Sequence, residues 1–232
     1  MLLNSTIKYI FLIGLFYCIL YSCKSHQKVI EDTPSIEITE IKETNENTTT
    51  SNAAMANFLT EYLTLKYKNI SFHKYMYISL KHQQLFLIKN DSTLKKYPIS
   101  TSKKGIGNQQ DSFQTPHGLH TIKRKIGCDV PYGGILESRE FNGEIATILT
   151  KKEKAPKDYV TSRIMWLQGE DLGINKGRKV DSYNRYIYIH GTPEEGYIGE
   201  PASHGCIRMK NKDVIELFNL VEEGTPIFIL KN

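Results

Sequence analysis

The segment Ser203-His204-Gly205-Cys206-Ile207-Arg208-Met209, preceded along the chain by His190-Gly191-Thr192, gathers the residue types that thiol chemistry needs. A cysteine attacks as the thiolate, and a nearby imidazole makes that form accessible at neutral pH. Cys206 sits between Gly205 and Ile207 beside His204, outside any apolar run, and so reads as a nucleophile and not as a core thiol. His190 ends the β-prone run Tyr186-Ile187-Tyr188-Ile189, which puts it at a strand terminus facing a cleft. The carbonyl of Gly191 is the group expected to orient its ring, the task an aspartate performs in other triads. Amides around Gly205 and Cys206 are the natural oxyanion donors, and Ser203 is expected to close a local hydrogen bond. His204 either bonds near the thiolate or shapes the turn. Arg208 either pairs with a substrate carboxylate through its bidentate fork or is an ordinary sheet-edge arginine.

Metal chemistry competes for the same residues. His190, His204 and Cys206 are ligand types, and His117 with His120 adds more. Neither Cys-x-x-Cys nor His-Glu-x-x-His spacing accompanies them, and the flanking glycines suit oxyanion binding better. No metal or cofactor is therefore expected.

The order His-Gly-Thr, a Gly-bearing loop, then Ser-His-Gly-Cys-hydrophobic-Arg is similar to the signature of the L,D-transpeptidase (YkuD-like) catalytic domain. The resemblance runs from about Tyr75 to Leu230 and includes Thr115-Pro116-His117-Gly118, which looks like that family's Thr-Pro-X-Gly segment. Arg208 stands where many members carry Asn, and His117 is bulkier than the family's usual residue there. The resemblance implies a mainly β, β-sandwich-like catalytic core with one or two peripheral helices. It also implies attack by Cys206, with His190 as general base and later acid, on the L-to-D bond after the third residue of a peptidoglycan tetrapeptide stem, with transfer to an amine acceptor and acylation by carbapenems. An L,D-carboxypeptidase using water, or a wall-binding protein without turnover, would carry the same motif.

The rest of the chain bounds this reading. Its 232 residues suit one domain plus a tail or anchor. The net charge of +5 is diffuse, without a dense Lys/Arg block, which argues against nucleic acid as a partner. Lys8 precedes the apolar run Tyr9 to Leu20, a signal-peptide core too short for a comfortable membrane span. Leu20-Tyr21-Ser22-Cys23 resembles a lipoprotein processing site, so residues 1–22 are read as a signal peptide and Cys23 as the lipidated residue, the alternative being an uncleaved signal anchor. This implies an envelope protein, lipid-anchored and facing the periplasm, with the outer membrane favoured in a host that has one. Cys128 is then a second thiol of the folded part, read as free.

Residues 23–52, rich in Thr, Asn, Glu and Lys, read as a flexible tether. Residues 53–72 form a helical lead-in, with Met55, Phe58, Leu59, Tyr62, Leu63 and Tyr67 at helical spacing, and residues 73–232 form the catalytic domain. Strands are expected at 75–80, 85–88, 97–100, 118–122, 146–150, 163–167, 186–189 and 227–230, with a hairpin loop at Asn90-Asp91-Ser92. Gly169 to Asn184 reads as an insertion that helps to cover the site. Asn211 is expected to cap a short helix whose Val214, Leu217, Phe218 and Val221 share one face.

Overall fold

The computed structural model of the chain describes residues 42–231. The expected signal peptide, residues 1–22, and Cys23 lie outside the described residues. Two α-helices, α1 (Lys42–Lys66) and α2 (Asn211–Leu220), accompany ten strands. The strands are β1 (Lys74–Ser79), β2 (Gln84–Lys89), β3 (Ser92–Pro98), β4 (Gly118–Ile126), β5 (Gly134–Glu137), β6 (Glu140–Ile145), β7 (Thr161–Gly169), β8 (Tyr188–Gly191), β9 (Ile207–Met209) and β10 (Pro226–Leu230). The architecture is mainly β, as the motif resemblance implied.

One sheet runs β3-β2-β1-β10-β4-β7 and forks at β7, one branch going to β5-β6 and the other to β8-β9. Bonds in both directions between Ser100, just after β3, and Arg208 in β9 fold the sheet back on itself. The sandwich-like core is thus one folded sheet. β1 pairs parallel with β10, and β8 parallel with β9; the other pairings are antiparallel.

Period-2 alternation explains how two layers form. Met76 and Ile78, Leu85 and Leu87, and Ile227 and Ile229 point into the central core, where α2 adds Val214, Leu217, Phe218 and Val221. Their neighbours Tyr75 and Tyr77, Phe86 and Ile88, and Phe228 point the other way, onto Ala56, Leu59 and Leu63 of α1. The β2–β3 hairpin turns at Asn90 and Asp91, both in the left-handed region (φ 51° and 59°), as a two-residue loop demands.

Four local expectations change. α1 begins at Lys42, inside the stretch read as tether, because extending an existing helix costs far less than nucleating one. Phe58 and Tyr62, placed by spacing on the packed face, are 68% and 41% exposed; the buried stripe is Ala56, Leu59 and Leu63. Residues 146–150 are not a strand: Leu149 bonds instead to the 193–196 turn, and β5 pairs with β7 and with β6, which is exposed along its whole length, Phe141 and Ile145 included. Asn211 does not cap α2. It is the first helical residue, its amide donates to Glu195 Oε1 at 2.8 Å, and its buried side chain serves the neighbouring loops.

Candidate active site

His190 lies in β8, paired on one side with Ile164 of β7 and on the other, in parallel, with Arg208 of β9. Cys206 immediately precedes β9. Two residues before Arg208, it falls on the same sheet face as His190. The parallel register thus does what sequence separation cannot: it sets the thiol and the imidazole on neighbouring positions of one face.

His190 is buried, and its Nδ1 lies 2.7 Å from Gly191 O. That carbonyl can only accept, so Nδ1 carries the proton and Nε2 keeps its lone pair for a substrate-side proton. A Cβ at Gly191 would lie 2.6 Å from Thr161 O and from Asn211 Oδ1, so only glycine fits between β8 and these neighbours. Asn211 holds that region together. Its Oδ1 accepts from Thr161 Oγ1 and Ser162 Oγ (both 2.7 Å), and its Nδ2 donates to Thr192 O (2.8 Å).

The Cys206 thiol donates to Tyr186 O at 3.3 Å, and Tyr188 N donates to the sulfur at 3.4 Å. Burial pushes the thiol up to about 11, opposed by the Tyr188 amide and by Arg208 and Arg185. Burial likewise lowers His190 to about 4, against Asp158 and the Gly191 bond. The resting pair is therefore neutral thiol and neutral imidazole.

The nucleophile turn is built by three side chains. Ser203 Oγ donates to Cys206 O (2.6 Å) and receives Gly205 N (3.2 Å), the local closure expected of it. The Gly205 amide is thereby engaged, and the backbone amide aimed at the sulfur is that of Tyr188, which the sequence reading did not single out. Thr115 Oγ1 donates to Gly205 O (2.9 Å) and receives Ser102 N (3.0 Å), so the Thr-Pro-X-Gly segment holds the nucleophile loop in place. Gly205 itself has φ +132°, closed to most side chains. His117 points its exposed side chain outward and contributes only backbone bonds, to Asn108 Oδ1 and from Asn175 Nδ2.

Arg208 is 2% exposed and ion-paired through Nη1 to Glu194 (3.0 Å) and through Nη2 to Asp158. Both terminal nitrogens are spent on protein carboxylates, so the guanidinium is not presented to a substrate carboxylate; it braces the floor of the site. Asp158 also accepts His204 Nδ1 at 2.8 Å. Burial would raise Asp158, but Arg208 and the His204 bond overcome it and leave its carboxyl below the usual range. His204 is therefore tied to an acidic partner and stands edge-on to Phe113, 6.4 Å between ring centres. Asp158, Glu194 and Arg185 carried no sequence signal: each sits in a polar stretch indistinguishable from surface. Arg185 donates to the carbonyls of Gly107, Asn108 and Gln114 and stitches the 107–114 loop beside the thiol.

Phe113, Arg185, Tyr186 and His204 line a cleft of about 300 Å³ next to Cys206. The insertion from Gly169 to Asn184 is held against the sheet, where Asp171 accepts Leu119 N, Ser182 Oγ meets the buried His120 ring and Tyr183 stacks on Trp166 at 4.1 Å; of its residues Asn184 lines the cleft. Cys128 is an exposed free thiol, and Cys206 is also unpaired.

The L,D-transpeptidase catalytic domain model matches residues 73–229. YkuD of Bacillus subtilis strain 168, named as an L,D-transpeptidase, is 56% identical over 41 residues, 18% of this chain and 25% of that protein. YqjB of the same organism, named likewise, is 46% identical over 45 residues, 19% of this chain and 26% of that protein. The chain thus matches about a quarter of the length of these curated relatives. An L,D-transpeptidase structure from Mycobacterium smegmatis aligns at 17% identity and TM-score 0.43, covering 68% of this chain and 58% of that one. L,D-transpeptidase 3 from Mycobacterium tuberculosis aligns at 14% and 0.42, covering 68% and 61%. With the family model spanning the sheet, the nucleophile turn and the imidazole strand together, the chain belongs to the L,D-transpeptidase catalytic domain family.

Proposed function

We propose that the protein is an exported L,D-transpeptidase that forms a cysteinyl acyl-enzyme with a peptidoglycan tetrapeptide stem and transfers it to an amine. The observation that carries this reading is the pair on one sheet face: the Cys206 thiol and His190, its Nδ1 committed to Gly191 O at 2.7 Å. Cys206 Sγ attacks the carbonyl of the third stem residue as its proton passes to His190 Nε2. The C–S bond forms, and negative charge develops on the carbonyl oxygen near the Tyr188 and Cys206 amides. Collapse breaks the C–N bond, and the imidazolium gives its proton to the departing D-residue's amine. An acceptor amine then attacks the thioester, delivers its proton to His190, and releases the thiolate, which takes the proton back. No cofactor enters this balance.

Burial holds the thiol up and the imidazole down, which favours proton loss from Cys206 as the substrate carbonyl is attacked. That protects a partly exposed cysteine from idle oxidation in an oxidising compartment. For location, we propose processing at Cys23 and lipid anchoring at the periplasmic face of the envelope.

Intact-mass spectrometry of the chain after meropenem, beside Cys206→Ala, tests the central claim. A single adduct on the wild type that is lost in the variant supports an acylable nucleophile. No adduct on a folded wild type would turn the reading toward a wall-binding protein. Muropeptide products then separate amine transfer from hydrolysis.

A further inference from the structure

Two arginines act on Cys206, and both are already committed. Arg208 is buried between Glu194 and Asp158, and Arg185 is spent on loop carbonyls. Arg139 differs. It occupies the tip of the β5–β6 hairpin, partly exposed, with its guanidinium carbon 5.2 Å from the Trp166 ring and 5.6 Å from the Tyr186 ring. It bonds the Tyr188 hydroxyl and forms no ion pair among the described residues. Asp129 and Glu140 line a cavity of about 220 Å³ with it, yet neither closes a salt bridge on it.

Of its aromatic neighbours, Tyr186, one of the two rings beneath it, and Tyr188, its hydroxyl partner, also hold the thiol: Tyr186 O receives the Cys206 thiol and Tyr188 N donates to the sulfur. The hairpin also carries a cost to put it there. Ser138 and Arg139 form the two-residue turn with φ of 48° and 72°, conformations that such turns normally give to Gly, Asn or Asp. Persistent left-handed backbone at a non-glycine pair beside a reactive thiol is a feature held by its surroundings, here a cation–π seat on two rings.

We propose that Arg139 reads the free carboxylate of the stem's terminal D-residue, the residue that leaves when the thioester forms. This rests on the function proposed above. That carboxylate lies within one residue of the scissile carbonyl, about 3.8 Å between successive Cα atoms, and an arginine side chain beside the nucleophile spans such a gap. A planar fork with one face on aromatic rings keeps the N–H groups not given to the Tyr188 hydroxyl for a carboxylate. The hairpin tip thereby selects donors that end one residue after the bond to be broken.

The test compares two donors with the full chain: a tetrapeptide stem with a free terminal carboxylate and the same stem as its C-terminal amide. Wild type should prefer the carboxylate donor, and Arg139→Gln should lose roughly tenfold or more in kcat/KM on it, mainly through KM. The amide donor should react equally with wild type and Arg139→Gln, and Arg139→Lys should keep part of the preference. Lys104→Gln, removing the cation 4.7 Å over Phe113 at the cleft, should leave the preference intact. Equal loss on both donors would make Arg139 a hairpin anchor and overturn the proposal. So would a wild type indifferent to the carboxylate, or a preference that disappears with Lys104. A folded wild type that alkylates at Cys206 yet turns over neither donor overturns the underlying function, and with it this assignment.

Discussion

Gly191 O accepts the Nδ1 proton of His190 at 2.7 Å from within the same strand, so residue 191 sets the tautomer of residue 190. The glycine is there because its Cα faces Thr161 O, which a Cβ would meet at 2.6 Å. Gly191→Ala should displace the carbonyl and slow Cys206 acylation by at least about tenfold, a barrier higher by roughly 1.4 kcal/mol. Rate measurement with a carbapenem checks it. A variant that acylates at the wild-type rate would remove Gly191 from the orienting role.

Thr115 ties the upstream segment to the nucleophile turn. Thr115→Val keeps the shape but removes the donor to Gly205 O and the acceptor of Ser102 N, both buried. Stability should fall by about 1–3 kcal/mol, and acylation should slow with it. Thr115→Ser should recover much of both, because it restores the hydroxyl. Urea melts and acylation rates on the same preparations separate the two effects.

Arg208→Met tests the reassignment of that residue from substrate contact to brace. Glu194, 4% exposed, would lose its buried cation, and the cost should be about 3–5 kcal/mol. Arg208→Lys should recover only part, since an ammonium lacks the fork that spans two carboxylates. A stable Arg208→Met chain with weakened substrate binding would restore the substrate role.

Acid should weaken the fold in a defined window. His120 and His190 are both lowered by burial to about 4, while the unfolded imidazoles titrate near 6.5. Between these values the unfolded chain binds more protons, so stability rises with pH. It is lost as pH falls from about 6.5 to 4, by about 3 kcal/mol for each histidine. Asp158 acts in the same direction at lower pH, since its carboxyl is held down in the fold and its contribution is lost as it protonates. His120→Gln should flatten roughly half of the histidine window in denaturation midpoints measured from pH 7 to 4. A midpoint insensitive to pH there would contradict neutral buried imidazoles.

Alkylation of Cys206 by iodoacetamide should climb about tenfold per pH unit from 7 toward 10, because burial holds the thiol up at about 11. Peptide-resolved mass spectrometry keeps it apart from the exposed Cys128. A rate already on a plateau near pH 7 would mean a resting thiolate–imidazolium pair.

The chemistry-bearing residues were legible because their spacing is local. Cys206, Ser203 and Gly205 form one turn, and the His190–Gly191 bond joins neighbours, so the relevant geometry lies within a few residues of chain. The alternating strands β1, β2 and β10 were legible for a related reason: both of their faces are apolar, so burial is written into every residue. β6 escaped notice because it is exposed throughout and is held by pairing with β5 alone.

By itself the sequence determined a mainly β domain and the short local segments that carry Cys206, Ser203 and Gly205 and the His190–Gly191 pair, since each follows from residue type and short-range spacing. The tertiary structure decided the roles of the charges. Arg208 could face a substrate or a carboxylate until β9 paired with β8 and swung it between Glu194 and Asp158. Arg139, Arg185 and Asp158 lie 67, 21 and 48 residues from Cys206 by their numbering, and only sheet pairing and loop closure bring them near it. A charge's task depends on which opposite charge or carbonyl reaches it first and on how much water remains. Neither quantity has a period along the chain.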